Sequence, residues 1–363
     1  MTSSRRDFIK KGASLTTLST LGLNKASAHT YEYAKDTNIE LCLAYFYGLQ
    51  ERKIQLSKQM GILGAVSPSN PGMAGLNEVK AWEYEALVAV KEVFEKRGLK
   101  WKVLEGTPPL DKAKLGIDGK DEQIENFITL MKNMKKIGLD TICYNWMPVI
   151  SWARTDFEKV GRGGALVTAF SYDKIKDLPV TEYGEFSEDT MWKNLEYFLK
   201  AVVPEAEKSG IKLALHPDDP PVPKIRGIAR IMRTADAFKK LIDLYPSPSN
   251  GLTLCQGTFA TMGEDIPTVI KYFGKRNKIF FVHFRDVRGD KWNFEETFHD
   301  EGKTDMYEAM KTYFEVGFSG PMREDHVPTV AGDSNEHPGY SELGTLFAMG
   351  YIKGLIEAAK KEV

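Results

Sequence analysis

From residue 38 onward, one unit recurs along the chain: a short apolar run followed by a polar stretch with apolar residues at helical spacing. The apolar runs are rich in β-branched and aromatic residues, which predicts strands. Eight predicted strands cover residues 39–47, 61–66, 100–105, 141–146, 212–216, 251–255, 279–284 and 321–324. The helical spacing predicts helices over residues 77–97, 122–137, 189–209, 234–244, 266–273, 305–316 and 343–361.

Cationic residues followed by glycine close three of the predicted helices, at Gly98, Gly138 and Gly210. Glycine in this position favours the left-handed backbone that ends a helix. Eight strand–helix units in a row predict an α/β fold, namely a closed (β/α)8 TIM barrel. An open, doubly wound sheet is the main alternative, but no GxGxxG or phosphate-binding loop follows the first strand.

One connection is much longer than the others. Between the fourth strand and the next helix, residues 147–188 contain Gly161, Gly163 and Gly164, and their start is aromatic around Trp152. A loop of this length in a compact fold is usually functional, although an unstructured surface insertion is the alternative. We predict that this loop covers the barrel mouth and that residues 29–363 form a single domain.

The first 28 residues have the order of an export signal. Arg5 and Arg6 precede a mildly apolar run over residues 12–23, and Ala26-Ser27-Ala28 follows. Paired arginines in this position indicate the twin-arginine (Tat) route, with cleavage after Ala28 and a periplasmic location. A short amphipathic first helix is the alternative interpretation.

Composition excludes several classes of function. The 49 lysines and arginines are balanced by 50 acidic residues, so the basic excess typical of nucleic-acid binding is lacking. Three cysteines, Cys42, Cys143 and Cys255, are too few and too scattered for a disulfide framework. Beyond residue 25 no run approaches the roughly 18 apolar residues of a membrane span. We expect neither a nucleic-acid partner nor a membrane anchor.

Potential metal ligands end four consecutive predicted strands. In a TIM barrel the chemistry lies at the carboxyl ends of the strands, where neighbouring ends converge. The residues in question are His216, Cys255, His283 and Asp325. Alone, each has an ordinary structural explanation, such as a buried core residue or a helix cap. Together they predict one divalent metal site, for which thiolate and imidazole favour zinc or ferrous iron while the carboxylate also allows manganese.

Several segments resemble the mannonate dehydratase family of bacterial hexuronate breakdown, whose members are xylose-isomerase-like TIM barrels. The resemblance runs from about residue 38 to residue 356. The matching segments are 143–148, 152–156, 216–221, 251–257, 283–285, 298–300, 305–308, 322–326 and 338–341. The sequence departs from the family pattern after the first three strands, at residues 45–48, 67–71 and 106–110.

The resemblance implies a metal-dependent hydro-lyase that converts D-mannonate, or a related sugar acid, to a 2-keto-3-deoxy acid. It implies Mn2+ at His216, Cys255, His283 and Asp325, with Fe2+ as the next choice, while the ligand chemistry also allows Zn2+. It also implies a catalytic or substrate-contacting role for Tyr340. A sugar acid would then be the partner, and a homo-oligomer is compatible with the sequence.

The predicted chemistry needs proton transfer and substrate binding in addition to a metal. The candidate acid and base are Tyr340 and His326, with His299 in reserve. The candidate substrate-binding residues are Arg285, Asn145, Arg154 and Arg323. Two other functions stay open: a sugar isomerase or epimerase on the same barrel, and a non-catalytic exported sugar-acid binder. An isomerase would favour a second carboxylate ligand, for which Glu105 is the candidate.

Overall fold

Eight parallel strands close into a barrel in the computed structural model, which describes residues 38–362. The barrel strands are β1 (Ile39–Ala44), β2 (Gly64–Ser67), β3 (Lys100–Glu105), β4 (Thr141–Asn145), β5 (Lys212–His216), β6 (Asn250–Cys255), β7 (Ile279–His283) and β8 (Gly320–Arg323). Each strand pairs with the next one in the chain, and β8 pairs with β1. The predicted TIM barrel is therefore confirmed, and the open sheet is excluded.

Helices follow the strands and cover the outside of the barrel. They are α1 (Glu51–Gln59), α2 (Tyr84–Glu95), α3 (Asp111–Leu115), α4 (Lys120–Ile137), α5 (Glu188–Ser209), α6 (Ala235–Leu244), α7 (Gln256–Met262), α8 (Ile266–Gly274), α9 (Met306–Glu315) and α10 (Glu342–Ala359). Gly138 and Gly210 end α4 and α5 with φ of +75° and +67°, as the stop signals predict. Among residues 38–362, no helix combines the length and apolarity needed to cross a membrane.

The helix predicted over residues 77–97 begins seven residues late, at Tyr84. The Asn133 side chain on α4 donates a hydrogen bond of 2.9 Å to the Trp82 carbonyl, and the Glu83 carboxylate accepts one of 3.2 Å from the Lys80 amide. These bonds hold the backbone before Tyr84 in turns, because they use groups that a helix would pair internally.

The predicted export signal and its cleavage point lie outside the residues that the structure describes.

The long loop after β4 is folded. Its strands Asp156–Val160 and Leu166–Ser171 pair antiparallel, and the second also pairs with Asn293–Glu296. Asn293–Glu296 in turn forms a hairpin with Val287–Asp290, just after β7. The result is a four-stranded accessory sheet built from two loops at the carboxyl end of the barrel. The alternative of an unstructured insertion is therefore excluded.

Inside the barrel, alternate strand residues form an apolar layer. The buried cluster contains Cys42, Val66, Val103, Cys143, Ala214 and Phe281.

Outside the barrel, β4 packs on α4 and α5 through aromatic rings. The Phe198 ring lies with its centroid 5.2 Å from Phe127, 5.8 Å from Tyr144 and 5.2 Å from Trp146.

We expect Phe198→Ala to lower the free energy of unfolding by about 3–5 kcal/mol, because it empties a fully buried ring site between β4 and α5. Urea denaturation followed by circular dichroism measures this change. Tyr197→Ala is the control: this neighbouring ring is 48% exposed, so its removal should cost less than about 1 kcal/mol. Equal losses in the two variants would contradict the packing described for β4.

Candidate active site

Six barrel strands end in polar residues that point into the barrel mouth. Four of them lie two positions beyond a residue of the inner layer and share its inward direction, and the other two pair with His283 across neighbouring strands. They are Glu105, Asn145, His216, Cys255, His283 and Arg323 on β3 to β8. Strand register sets Asn145 beside His216, Cys255 beside His283, and His283 beside Arg323.

Three of these side chains form a cluster suited to a metal ion. The donor atoms of His216, Cys255 and His283 all lie within 4.8 Å of one another. His216 Nε2 is 3.2 Å from His283 Nδ1, and His216 Nδ1 is 2.7 Å from the Pro217 carbonyl oxygen. A proton on Nδ1, donated to that carbonyl, leaves Nε2 with a free lone pair directed toward the cluster. Imidazole and thiolate at this spacing fit a divalent transition metal.

Asp325 completes the predicted set of four. It lies just past β8, where a backbone φ of +61° turns the chain. Its Oδ2 atom is 3.5 Å from Cys255 Sγ and 3.6 Å from His283 Nδ1. The structure thus brings together all four residues that the sequence marks as potential ligands.

A second group of potential ligands shares His283. Glu105, Cys143 and His283 also have donor atoms within 4.8 Å of one another. The Arg323 guanidinium, however, donates two hydrogen bonds to Glu105, of 2.9 and 3.0 Å. Burial holds the pKa of the Cys143 thiol well above its usual range. His216, Cys255 and His283 therefore offer a cation two imidazoles and a thiol without a carboxylate that is paired with an arginine. Asp325 adds a carboxylate to this group, and its two oxygens accept hydrogen bonds from Arg285 and Arg323.

Arg285 does not face the cavity. Its guanidinium is buried and donates to Asp325 at 2.5 Å, to Glu296 at 2.8 Å and to Asp219 at 2.8 Å. With three carboxylates around it, it has no free donor edge for a substrate. The prediction that Arg285 clamps the substrate is corrected: this arginine holds the Asp325 carboxylate in place.

Arg154 is likewise enclosed by protein carboxylates. It comes from the long loop after β4 and binds Asp219 at 2.6 Å and Glu296 at 2.5 Å, with its side chain fully buried. The predicted contact with substrate is therefore replaced by a structural one. Arg154 attaches the accessory sheet to the loop that follows β5.

The charges of this network shift several pKa values. Burial alone would raise the pKa of the Glu105 carboxyl, but Arg323 and His283 lower it to about 2. Burial would likewise raise the pKa of Asp325, but Arg323, His326, His283 and Arg285 hold it well below its usual range. Burial and Arg323 oppose a proton on His283, yet Glu105 and Asp325 raise the pKa of its imidazole to about 9. The site therefore attracts positive charge.

A cavity of about 230 Å³ opens above these residues. Asn145 and Arg323, two of the predicted substrate-binding residues, line it, as do His326 and Tyr340. His326 Nδ1 is 3.2 Å from Glu296 Oε1, and the ring packs against Trp152 and Tyr340 with centroids 5.1 and 5.4 Å apart. Burial holds the pKa of the Tyr340 phenol well above its usual range, although Arg323 opposes this.

His299 is the predicted acid–base candidate that does not reach the cavity. It is fully buried, and its Nε2 lies 2.8 Å from the Glu324 carbonyl oxygen. Burial lowers the pKa of its imidazole to about 4, which keeps the ring neutral. His299 supports the turn that carries Asp325 rather than exchanging protons with a ligand.

The sequence patterns do not identify two residues of the site, Glu296 and Thr258. Glu296 lies in the accessory hairpin rather than at a barrel strand end, so no strand pattern marks it. Thr258 lies in the first turn of α7, three residues after Cys255, and its hydroxyl is 3.1 Å from Cys255 Sγ. It also accepts a 3.0 Å hydrogen bond from Arg285. Its only sequence signal is the helical i, i+3 spacing from a potential ligand.

We expect Thr258→Val to raise the dissociation constant for Co2+ or Mn2+ at least about 10-fold, because a hydrogen bond to a charged acceptor contributes about 1.5–3 kcal/mol. Competition with a metal-binding dye measures the constant. Thr261→Val is the control, since Thr261 is equally buried on α7 but donates to the Thr258 carbonyl instead. An equal loss of affinity in both variants would count against the Thr258 contact.

Comparison with known proteins agrees with this site. Residues 39–363 match the family model described as D-mannonate dehydratase (UxuA). The mannonate dehydratase of Streptococcus equi subsp. zooepidemicus is 34% identical over 322 residues, which cover 79% of this chain and 88% of that protein. The mannonate dehydratase of Streptococcus agalactiae serotype V is 36% identical over 309 residues, with coverage of 78% and 88%.

Solved structures give the same result. The crystal structure of mannonate dehydratase from Streptococcus suis serotype 2 superposes with a TM-score of 0.81 at 31% identity, covering 90% of this chain and 95% of that one. A D-tagatose 3-epimerase-like protein superposes with a TM-score of 0.58 at 14% identity, so it shares the fold alone. The resemblance seen in the sequence is thereby confirmed: the chain belongs to the mannonate dehydratase family, an enzyme family of the hydro-lyase class.

Proposed function

We propose that this protein dehydrates D-mannonate to 2-dehydro-3-deoxy-D-gluconate and water. The observation that carries the proposal is the cluster of His216, Cys255, His283 and Asp325 beneath a cavity lined by His326 and Tyr340. Family membership supports the substrate, since the related proteins named above are mannonate dehydratases.

The four clustered residues would hold one divalent cation, and we propose Mn2+, with Fe2+ next and Zn2+ third. A bound cation there would supply positive charge that offsets the negative charge an acid gains when the proton beside its carboxylate leaves. The protein contributes the fixed direction of each ligand. Pro217 sets the His216 ring, Thr258 contacts the Cys255 sulfur, and Arg285 holds Asp325.

Dehydration also needs two proton transfers. A base removes the proton from C2 of the acid, and an acid protonates the departing C3 hydroxyl, so that water leaves and the remaining enol converts to a 2-keto acid. His326 and Tyr340 are the cavity-lining groups suited to these roles. Glu296 fixes the His326 ring through Nδ1, which leaves Nε2 for exchange with a ligand. Trp152 packs against the same ring.

The arrangement disfavours the two alternative functions. An isomerase of this fold would favour Glu105 as a second carboxylate ligand, but Glu105 groups with Cys143 and His283 rather than with His216 and Cys255. A simple sugar-acid binder has no need for two proton-transfer groups over a cluster of metal ligands. Dehydration is the function that uses all of these residues.

The test is to load the full chain with Mn2+, supply D-mannonate and measure the 2-keto-3-deoxy acid formed. We expect turnover by the wild type and a fall in kcat of about 10²-fold or more in Tyr340→Phe, because that change removes only the hydroxyl that exchanges a proton. Metal content, measured in parallel, should stay the same. Unchanged kcat would transfer the role to His326, and metal-loaded protein that leaves D-mannonate intact would refute the proposed function.

We also propose that the protein is exported by the Tat route, on the basis of Arg5, Arg6 and Ala26-Ser27-Ala28. Lysine keeps the charge but not the paired guanidinium groups. Replacing both arginines by lysine should therefore leave the protein in the cytoplasm, as measured by cell fractionation and immunoblotting. Equal recovery from the periplasm in the variant and the wild type would contradict export by this route.

A further inference from the structure

The cavity offers an anionic ligand no free cation of its own. Among the residues of the described chain that line it, Arg323 is the only lysine or arginine. Its guanidinium donates to Glu105 at 2.9 and 3.0 Å and to Asp325 at 2.7 Å. These three hydrogen bonds use three of its five N–H donors, and the two carboxylates that accept them offset its positive charge.

The buried network around Arg323 already contains more negative than positive charge. Its four carboxylates are those of Glu105, Asp219, Glu296 and Asp325, and its three guanidinium groups are those of Arg154, Arg285 and Arg323. The carboxylates thus outnumber the guanidinium groups by one before a ligand enters the cavity. A buried site of this kind penalises each further anion strongly, because little water is present to screen it.

Apart from the histidines, the remainder of the cavity wall bears no charged side chain. Besides the buried Tyr144, four aromatic side chains line it, namely Phe46, Tyr47, Trp152 and Tyr340. Asn145, Thr107 and Ser151 add uncharged polar groups between them. Hydroxyl and amide groups suit the hydroxyls of a sugar chain, and aromatic faces suit its C–H surface.

We infer that this cavity selects acids with a single negative charge, whose far end is an uncharged polyhydroxy chain against the aromatic wall. Acids that carry a second anionic group at that end, such as aldarates or phosphorylated aldonates, are rejected. The inference rests on the proposed function, which places one carboxylate of the substrate at the cluster of metal ligands. It adds that the charge at the other end of the acid decides whether the acid binds.

The experiment compares D-mannonate with D-mannarate, in which a carboxylate replaces the terminal CH2OH group. Calorimetry with the Mn2+-loaded full chain gives both dissociation constants without requiring turnover. We expect D-mannarate to bind at least about 10-fold more weakly, although its two equivalent ends would favour it twofold in a neutral site. Equal or tighter binding of D-mannarate overturns the inference and leaves the proposed function intact. Failure of D-mannonate itself to bind overturns both.

A charge placed at the aromatic rim tests the cause of the discrimination. Tyr47 is 47% exposed at the cavity mouth, and Tyr84, on α2, is 48% exposed and lines no part of the cavity. Tyr47→Arg should lower the ratio of the D-mannarate dissociation constant to the D-mannonate dissociation constant at least about 5-fold. Tyr84→Arg adds the same charge and should leave this ratio unchanged. If this ratio stays the same in Tyr47→Arg, or falls equally in both variants, the local charge at the rim is not the cause of the weaker binding of D-mannarate.

Discussion

The site depends on the ion pairs that the Arg285 guanidinium forms with three buried carboxylates. The guanidinium joins Asp325 from the end of β8, Asp219 from the loop after β5 and Glu296 from the accessory hairpin, and all of these side chains are buried. Removing one partner from a buried ion pair costs about 3–5 kcal/mol, because the other charge is left uncompensated. The chain makes room for Arg285 at Gly257, where a Cβ atom would overlap the guanidinium. Arg285 therefore fixes a potential metal ligand and the cavity wall together.

Much of this site could be predicted from the sequence, and the reason is geometric. His216, Cys255 and His283 each end a strand, and adjacent parallel strands in register bring such ends together. The partners of the arginines could not be predicted in this way. Glu296 lies beside Val287 in the accessory hairpin, whose second strand also pairs with Leu166–Ser171, and no local pattern marks these pairings. The sequence thus indicated arginines near the site but not the carboxylates that enclose them.

The two halves of the cavity have different chemistry. Its floor is a network of arginines and carboxylates, and its rim is aromatic and uncharged. The segments at residues 45–48 and 106–110, which we expect to depart from the family pattern, supply Phe46, Tyr47, Gly106 and Thr107 to the cavity lining. In the proposed function, the far end of the substrate lies against these residues. We therefore expect selectivity among sugar acids to depend on them.

The most direct test of this account is a titration of the metal-free full chain with Co2+, followed by its absorption spectrum. We expect a thiolate-to-cobalt charge-transfer band that saturates at about one equivalent per chain, because Cys255 is the ligand that would carry it. The band should vanish in Cys255→Ser and persist in Cys143→Ser, whose cysteine belongs to the other group of potential ligands. Loss of the band in Cys143→Ser with retention in Cys255→Ser, or no band in the wild type, would contradict the site described.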